Sequence, residues 1–201
     1  MKDKIIYIHG KNGSADEADI YKPLFSRYEV TGLDYRAETP RQAAEEFPAL
    51  FDTACADSGK VLLIANSIGA YLAMHALADR CIAKAFFISP IVDMERLILD
   101  MMAQSGVSEN ELSQRGEMTT IFGESLSWDY LCYVREHPVD WHIPTEIICG
   151  ENDMLTSIDT MTAFAEKIGA GLTVMSGGEH WFHTDEQMKF LRGWLKKFSA
   201  E

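Results

Sequence analysis

The sequence predicts an α/β protein built on a mainly parallel sheet, and three observations lead there. Six short apolar runs have the length of strands and are bounded by Gly, Asn, Ser or Pro: Ile5 to His9, Val30 to Tyr35, Val61 to Asn66, Ala85 to Ser89, Glu146 to Cys149 and Leu172 to Met175. Their apolar character is nearly continuous, as strands covered on both faces require. The segments between them carry helix caps and stops, so strand and helix alternate along most of the chain.

The elements follow in order. The first run passes into the polar loop His9-Gly10-Lys11-Asn12-Gly13-Ser14. After the second, Thr39 before Pro40 marks a helix start, Gly59 reads as its stop, and Pro48 leaves room for a kink or break. The third strand runs into a helix from Ser67 to Ala78 that would pack through Ile68, Leu72, Met74 or His75, and Leu77. Between Pro90 and Pro144 the rhythm breaks. No strand is evident there, only helical pieces at Met94 to Gln104, Ser108 to Arg115 and Ser127 to Glu136. Ser108 and Glu111 have capping-box spacing. An insertion of this kind, over residues 93–142, predicts a helical lid embedded in a single domain. Ser157 caps a run to Ile168 that Gly169 ends, and Thr184 caps a last amphipathic helix through Phe190, Leu191, Trp194 and Leu195.

Bulk properties narrow the function. With 201 residues, 47% hydrophobic and 24% charged, one globular domain is expected. A formal charge of −13 opposes phosphate backbones and anionic lipid, so nucleic acid is excluded as a partner. No stretch approaches the roughly 20 consecutive apolar residues of a bilayer span. Met1-Lys2-Asp3-Lys4 runs straight into a strand without a signal-peptide core, which makes the expected location cytoplasmic. Cys55, Cys81, Cys132 and Cys149 are too far apart for a zinc site or a CxxC motif and are expected to be reduced and mostly buried.

The strongest local signal is Ala65-Asn66-Ser67-Ile68-Gly69, a strand, a sharp turn and a helix with serine at the apex. Such a turn needs small residues two before and two after the serine, and Ala65 and Gly69 supply them. Ala stands where the best-known form has Gly. The competing reading makes Ser67 a simple helix N-cap. The His9-Gly10 loop suits a second requirement of acyl chemistry, backbone N–H groups aimed at a developing oxyanion. Ile68 would provide one donor and Lys11 the other, with Asn12 next in line. A phosphate loop fails on spacing, because neither GxxxxGK[ST] nor GxGxxG aligns there. His9 itself reads as structural, directed at loop backbone.

Gly150-Glu151-Asn152-Asp153 follows the fifth strand, and a carboxylate at that strand end can hold the tautomer of a histidine on the next loop. Asp153 is the candidate, with Glu151 and Asp93 as weaker ones. The sixth strand leads into Ser176-Gly177-Gly178-Glu179-His180-Trp181-Phe182-His183. His180 suits a loop over the sheet edge, whereas His183 stands before the last helix and could merely pack or cap it. As a metal pair they lack a third ligand.

The order Ser67, Asp153, His180, each at a strand's carboxyl end, resembles the α/β-hydrolase superfamily over the whole chain. His9-Gly10, Pro144 before the acid strand and the Gly-Gly-x-His ending add to the likeness. His-Trp-Phe-His is similar to the ending of some small dienelactone-hydrolase-like members, in which the first histidine is catalytic. The resemblance implies a serine hydrolase with catalytic Ser67, Asp153 and His180, acting on small or medium-chain esters without cofactor or metal. Thioester hydrolysis, acyl transfer to another acceptor, or ligand binding without catalysis would use the same fold. The usual antiparallel strands at the amino terminus have no room before Ile5. The implied sheet is therefore reduced to six parallel strands in the order 2-1-3-4-5-6, as a monomer or a homodimer through its edge. Asn12, Met101, Trp128 and Trp181 are the candidate substrate contacts.

Overall fold

The computed structural model describes residues 1–121 and 123–198, which form two compact units, one of residues 1–92 with 140–198 and one of the described residues between 93 and 139. The first unit is built on a six-stranded parallel sheet. Its strands are β1 (Lys2–Ile8), β2 (Glu29–Gly32), β3 (Ser58–Asn66), β4 (Lys84–Ile88), β7 (Thr145–Gly150) and β8 (Gly171–Met175). The order is β2-β1-β3-β4-β7-β8, every pair parallel, which is the expected 2-1-3-4-5-6 arrangement.

Side-chain alternation explains the continuous apolar runs. Ile5, Tyr7, Leu62, Ile64, Phe86 and Ile88 join one cluster with Leu191, Trp194 and Leu195 of the last helix and with Tyr21 and Phe25. The intervening residues Ile6, Ile8, Leu63, Ala65 and Phe87 are just as deeply buried. Both faces are therefore covered, and no polar alternation survives in β1, β3 or β4. Trp194 stands edge-on to Phe86 at 6.0 Å between ring centres.

The helices of this unit are α1 (Pro40–Cys55), α2 (Ile68–Ala76), α6 (Ile158–Ile168) and α7 (Asp185–Lys196). Thr39 caps α1 with Gln42 in a reciprocal capping box, Ser157 caps α6, Gly169 closes it in the left-handed region, and Thr184 with Gln187 caps α7. Two expectations about α1 change. It runs through Pro48 without a break, because Pro48 and the residue that loses its bond, Ala44, lie off the fully buried face of Ala43, Phe47 and Phe51. It also ends at Cys55, and Gly59 is already inside β3 rather than a helix stop.

The second unit contains α3 (Met94–Gln104), α4 (Glu109–Arg115) and α5 (Trp128–Glu136), at or within one residue of the expected spans. Asp93, Ser108 and Ser127 cap them. Arg135 of α5 reaches Glu95 of α3 at 2.6 Å and both carboxylate oxygens of Glu109 before α4's second turn, at 2.8 and 2.9 Å. One feature was not expected here: β5 (Glu117–Thr119) and β6 (Ser125–Ser127) pair as an antiparallel hairpin. Three-residue strands are too short to display a period, so the pairing leaves no pattern in the sequence.

The cysteines are less buried than expected. Only Cys149 is buried, Cys55 and Cys132 are half-buried, and Cys81 is exposed; all four are free thiols. Among the described residues no helix is long and apolar enough to cross a membrane.

Candidate active site

The chain leaves β1 toward β2 on one side and leaves β3 toward β4 on the other, so the sheet changes winding direction between these neighbours. Loops that depart in opposite directions open a crevice at the carboxyl ends of the strands. Ser67 follows β3 and Lys11 follows β1, so the two lie on loops at the carboxyl edge of the sheet on either side of this switch point.

Ser67 has φ +51° and ψ −123°, a conformation sparsely populated by residues other than glycine and worth about 1–3 kcal/mol of strain. The surrounding bonds impose it. The Ser67 N–H donates to the Ile88 carbonyl at 2.9 Å, and the Ile91 N–H donates to the Ser67 carbonyl at 3.2 Å, which clamps the turn to the end of β4. Ala65 is fully buried, and a Cβ on Gly69 would stand 2.1 Å from the His9 carbonyl oxygen. The small residues of the motif thus answer a steric demand. The Ser67 side chain makes no capping bond to α2, so the N-cap reading fails.

Instead the Ser67 Oγ lies 2.8 Å from His180 Nε2, and His180 Nδ1 lies 2.7 Å from Asp153 Oδ2. Asp153 Oδ1 accepts the N–H groups of Leu155 at 2.8 Å and Thr156 at 3.2 Å. A carboxylate only accepts, so Nδ1 carries the proton toward Asp153 and Nε2 presents its lone pair to the serine hydroxyl. The Asp153 side chain is 1% exposed and that of His180 20%, so both are largely removed from water while the imidazole edge stays reachable. The buried Cys149 thiol on the same strand end is pushed up to about 11, chiefly by burial and then by the Asp153 charge.

The two loops that carry Asp153 and His180 meet backbone to backbone. A Cβ on Gly150 would stand 2.3 Å from the Gly178 carbonyl, and the Asn152 N–H donates to the Gly178 oxygen at 2.8 Å. Gly177, at φ +68°, turns the chain after β8. Glu151 fastens this turn by accepting the Ser176 hydroxyl and the Gly177 N–H, both at 2.8 Å. That role was not foreseen, since a carboxylate seven residues after Pro144 and far from Ser176 in sequence carries no signal of it. The alternative acids are thus engaged elsewhere: Glu151 on the turn, and Asp93 on the Arg96 N–H as the cap of α3. His183 accepts no role beside Ser67; its Nδ1 is 2.8 Å from the Trp181 carbonyl and its ring stacks on Trp181.

Of the remaining candidates, Ile68 is the first residue of α2, where amides have no intrahelical acceptor. Lys11 and Asn12 occupy a turn closed by the Gly13 N–H on the Gly10 carbonyl at 3.1 Å, with Asn12 in the left-handed region at φ +60°. Trp181 is 69% exposed next to His180. Met101 lies on α3 and Trp128 opens α5, both half-buried within the second unit. Among the described residues no cluster of His, Cys, Asp or Glu could hold a metal ion.

No protein-family model matches the sequence. No curated protein sequence matches it either. Solved structures do. Est1E from Butyrivibrio proteoclasticus with ferulic acid bound superposes with a TM-score of 0.79 at 16% identity, over 100% of this chain and 88% of that one. Mouse alpha/beta hydrolase domain-containing protein 10 gives 0.75 at 16% identity, over 97% and 88%. A marine microorganism esterase gives 0.60 at 15% identity, over 98% and 95%. At such identities the likeness speaks for architecture alone, and together with the strand order and the turn at Ser67 it leads to one conclusion: the chain has the α/β-hydrolase fold.

Proposed function

We propose that the protein is a serine hydrolase that cleaves small or medium-chain carboxylic esters through an acyl-enzyme. The observation that carries this reading is the unbroken hydrogen-bond chain from the strained Ser67 through His180 to the buried Asp153. In the first step the Ser67 oxygen attacks the ester carbonyl carbon while His180 Nε2 takes its proton, and Asp153 supports the imidazolium. Negative charge then develops on the former carbonyl oxygen, for which the Ile68 and Lys11 N–H groups are the assigned donors. Collapse of this intermediate expels the alcohol, which leaves with the proton from His180. In the second step His180 deprotonates water, which attacks the acyl carbon and releases the acid and Ser67. No metal or organic cofactor enters these steps. An esterase and a ferulic-acid-bound protein among the structural neighbours support an ester as substrate, and Trp181 and Asn12 are the assigned contacts to its organic groups.

The test is labelling with a fluorophosphonate together with turnover of p-nitrophenyl esters of increasing chain length. Wild type is expected to be labelled and active, and Ser67→Ala to lose the label and about 10⁶-fold in kcat. A folded wild-type protein with neither label nor turnover would refute catalysis and leave a ligand-binding protein of this fold.

A further inference from the structure

We propose that His9, held by Tyr35, is a positioning residue that aims the Lys11 N–H of the oxyanion site. The inference rests on the serine-hydrolase reading and adds to it a residue that touches no reacting atom. The described peptides are trans, so the Lys11 N–H points opposite to the Gly10 carbonyl. Whatever fixes that carbonyl therefore fixes the donor. Gly10 has no Cβ to restrict the rotation of this peptide plane, so the restraint must come from elsewhere.

Two donors provide it. The Gly13 N–H reaches the Gly10 oxygen at 3.1 Å, and His9 Nδ1 lies 2.8 Å from the same atom. A carbonyl only accepts, so Nδ1 is the protonated nitrogen in this contact. Donation to the carbonyl also polarises the peptide and strengthens its N–H as a donor. The imidazole is kept in place by Tyr35, whose ring stacks on it at 4.2 Å with 14° between planes. The Tyr35 hydroxyl donates to the His9 carbonyl at 2.7 Å, and its own ring is braced edge-on by Phe47 of α1 at 4.7 Å. Burial, then the nearby Glu17 and Glu46 charges, push the Tyr35 phenol up, so it stays a donor at any working pH. The His9 carbonyl also lies where a Gly69 Cβ would be, which ties this arrangement to the first turn after Ser67. Imidazole, phenol and glycine contact thus hold oxyanion loop and nucleophile turn in one register.

The test uses four proteins, wild type, His9→Phe, His9→Asn and Tyr35→Phe, with steady-state turnover of a p-nitrophenyl ester and inhibition by a trifluoromethyl ketone. The ketone adds the Ser67 oxygen to its carbonyl carbon, passes the serine proton to His180 and leaves an oxyanion, so its affinity reports the oxyanion site. His9→Phe keeps a ring for Tyr35 to stack on and lacks the donor. It is expected to lower kcat and ketone affinity together by roughly tenfold, a fraction of the ~10²–10³ that a whole donor is worth. KM should stay within about twofold and the acid limb of the pH profile unmoved, since the change acts on oxyanion binding rather than on the base. His9→Asn, whose amide can donate to the same carbonyl, should recover most of the loss, and Tyr35→Phe should lose about threefold. Unchanged kcat and ketone affinity in His9→Phe and Tyr35→Phe would overturn the proposal, as would a fall in kcat with ketone affinity intact. If His9→Phe fails to fold, Tyr35→Phe decides by the same two quantities. Absence of Ser67-dependent turnover in wild type would instead sink the hydrolase reading itself.

Discussion

The Ser67 turn after β3 and the Asp153 and His180 loops after β7 and β8 reach the same small volume by different physics. Ser67 is held by exclusion: a fully buried Ala65, no room for a Cβ at Gly69, and backbone bonds to Ile88 and Ile91 that force φ to +51°. Asp153 and His180 are held by attraction, through two N–H groups on Asp153 Oδ1, the 2.7 Å bond between them, and the Glu151 carboxylate on the turn after β8. A site held by exclusion should fail when volume is added, and one held by attraction when an acceptor or donor is removed. The close packing of Gly150 on Gly178 shows that exclusion also serves the second region, but only to bring the two loops together.

The comparison can be broken on its attractive side first. Asp153→Asn keeps the shape but presents an amide to His180, which favours the wrong tautomer, and should lower kcat by roughly 10³–10⁴ with KM little changed. A loss below tenfold would mean that the Asp153 bond does not orient the base. On the steric side, Gly69→Ala places a methyl group against the His9 carbonyl and should destabilise the protein by about 3 kcal/mol. A chain of this size would then melt roughly 6–12 °C lower, measured by calorimetry. Since φ at Gly69 is not positive, space alone is at issue, and an unchanged melting point would refute the steric account.

A smaller effect is expected at Glu151. Its carboxyl lies below the ordinary range because the Gly177 N–H and then the Ser176 hydroxyl bond to the charged form. A lowered value means the clamp is fully present above the unfolded value of about 4.3 and is lost as pH falls through the folded one. The Gly177 amide resonance should therefore titrate with a midpoint below ~4.3 in wild type and not at all in Glu151→Gln. Glu151→Ala should lower kcat severalfold, by loosening the turn that precedes His180. The smallest change is chemical: at pH 8, Cys81 should react with iodoacetamide in the folded protein, while Cys149, buried and pushed up to about 11, should react only after unfolding. Mass spectrometry of the alkylated peptides reads both.

Several elements were legible because their signals are local. Thr39, Ser108, Ser157 and Thr184 start helices where the capping pattern places them, since a side chain and an amide three residues away meet whatever surrounds them. Gly69 and Ala65 were legible for a related reason, because a tight turn imposes its steric demand within five residues. The misreadings were cases where a local signal was overridden or absent. Pro48 would interrupt an isolated helix, but the buried face of Ala43, Phe47 and Phe51 holds α1 together across it. Gly59 punctuates the sequence, yet sits in β3 beside the Asp3 carboxylate.

By itself, the sequence determined the alternation of elements and, through the resemblance, the strand order, and it singled out Ser67, Asp153 and His180 as candidates; these readings depend on periodicity, caps and short motifs. Only the tertiary structure decided which nitrogen of His180 faces Ser67, that Glu151 clamps the turn after β8 while Asp153 meets His180, and that Tyr35 underlies His9. These contacts join residues 25 to 113 positions apart in the chain. Their partners are chosen by the register of adjacent strands and the direction each loop takes at the sheet edge, and those are properties of the packed sheet that no short window of sequence contains.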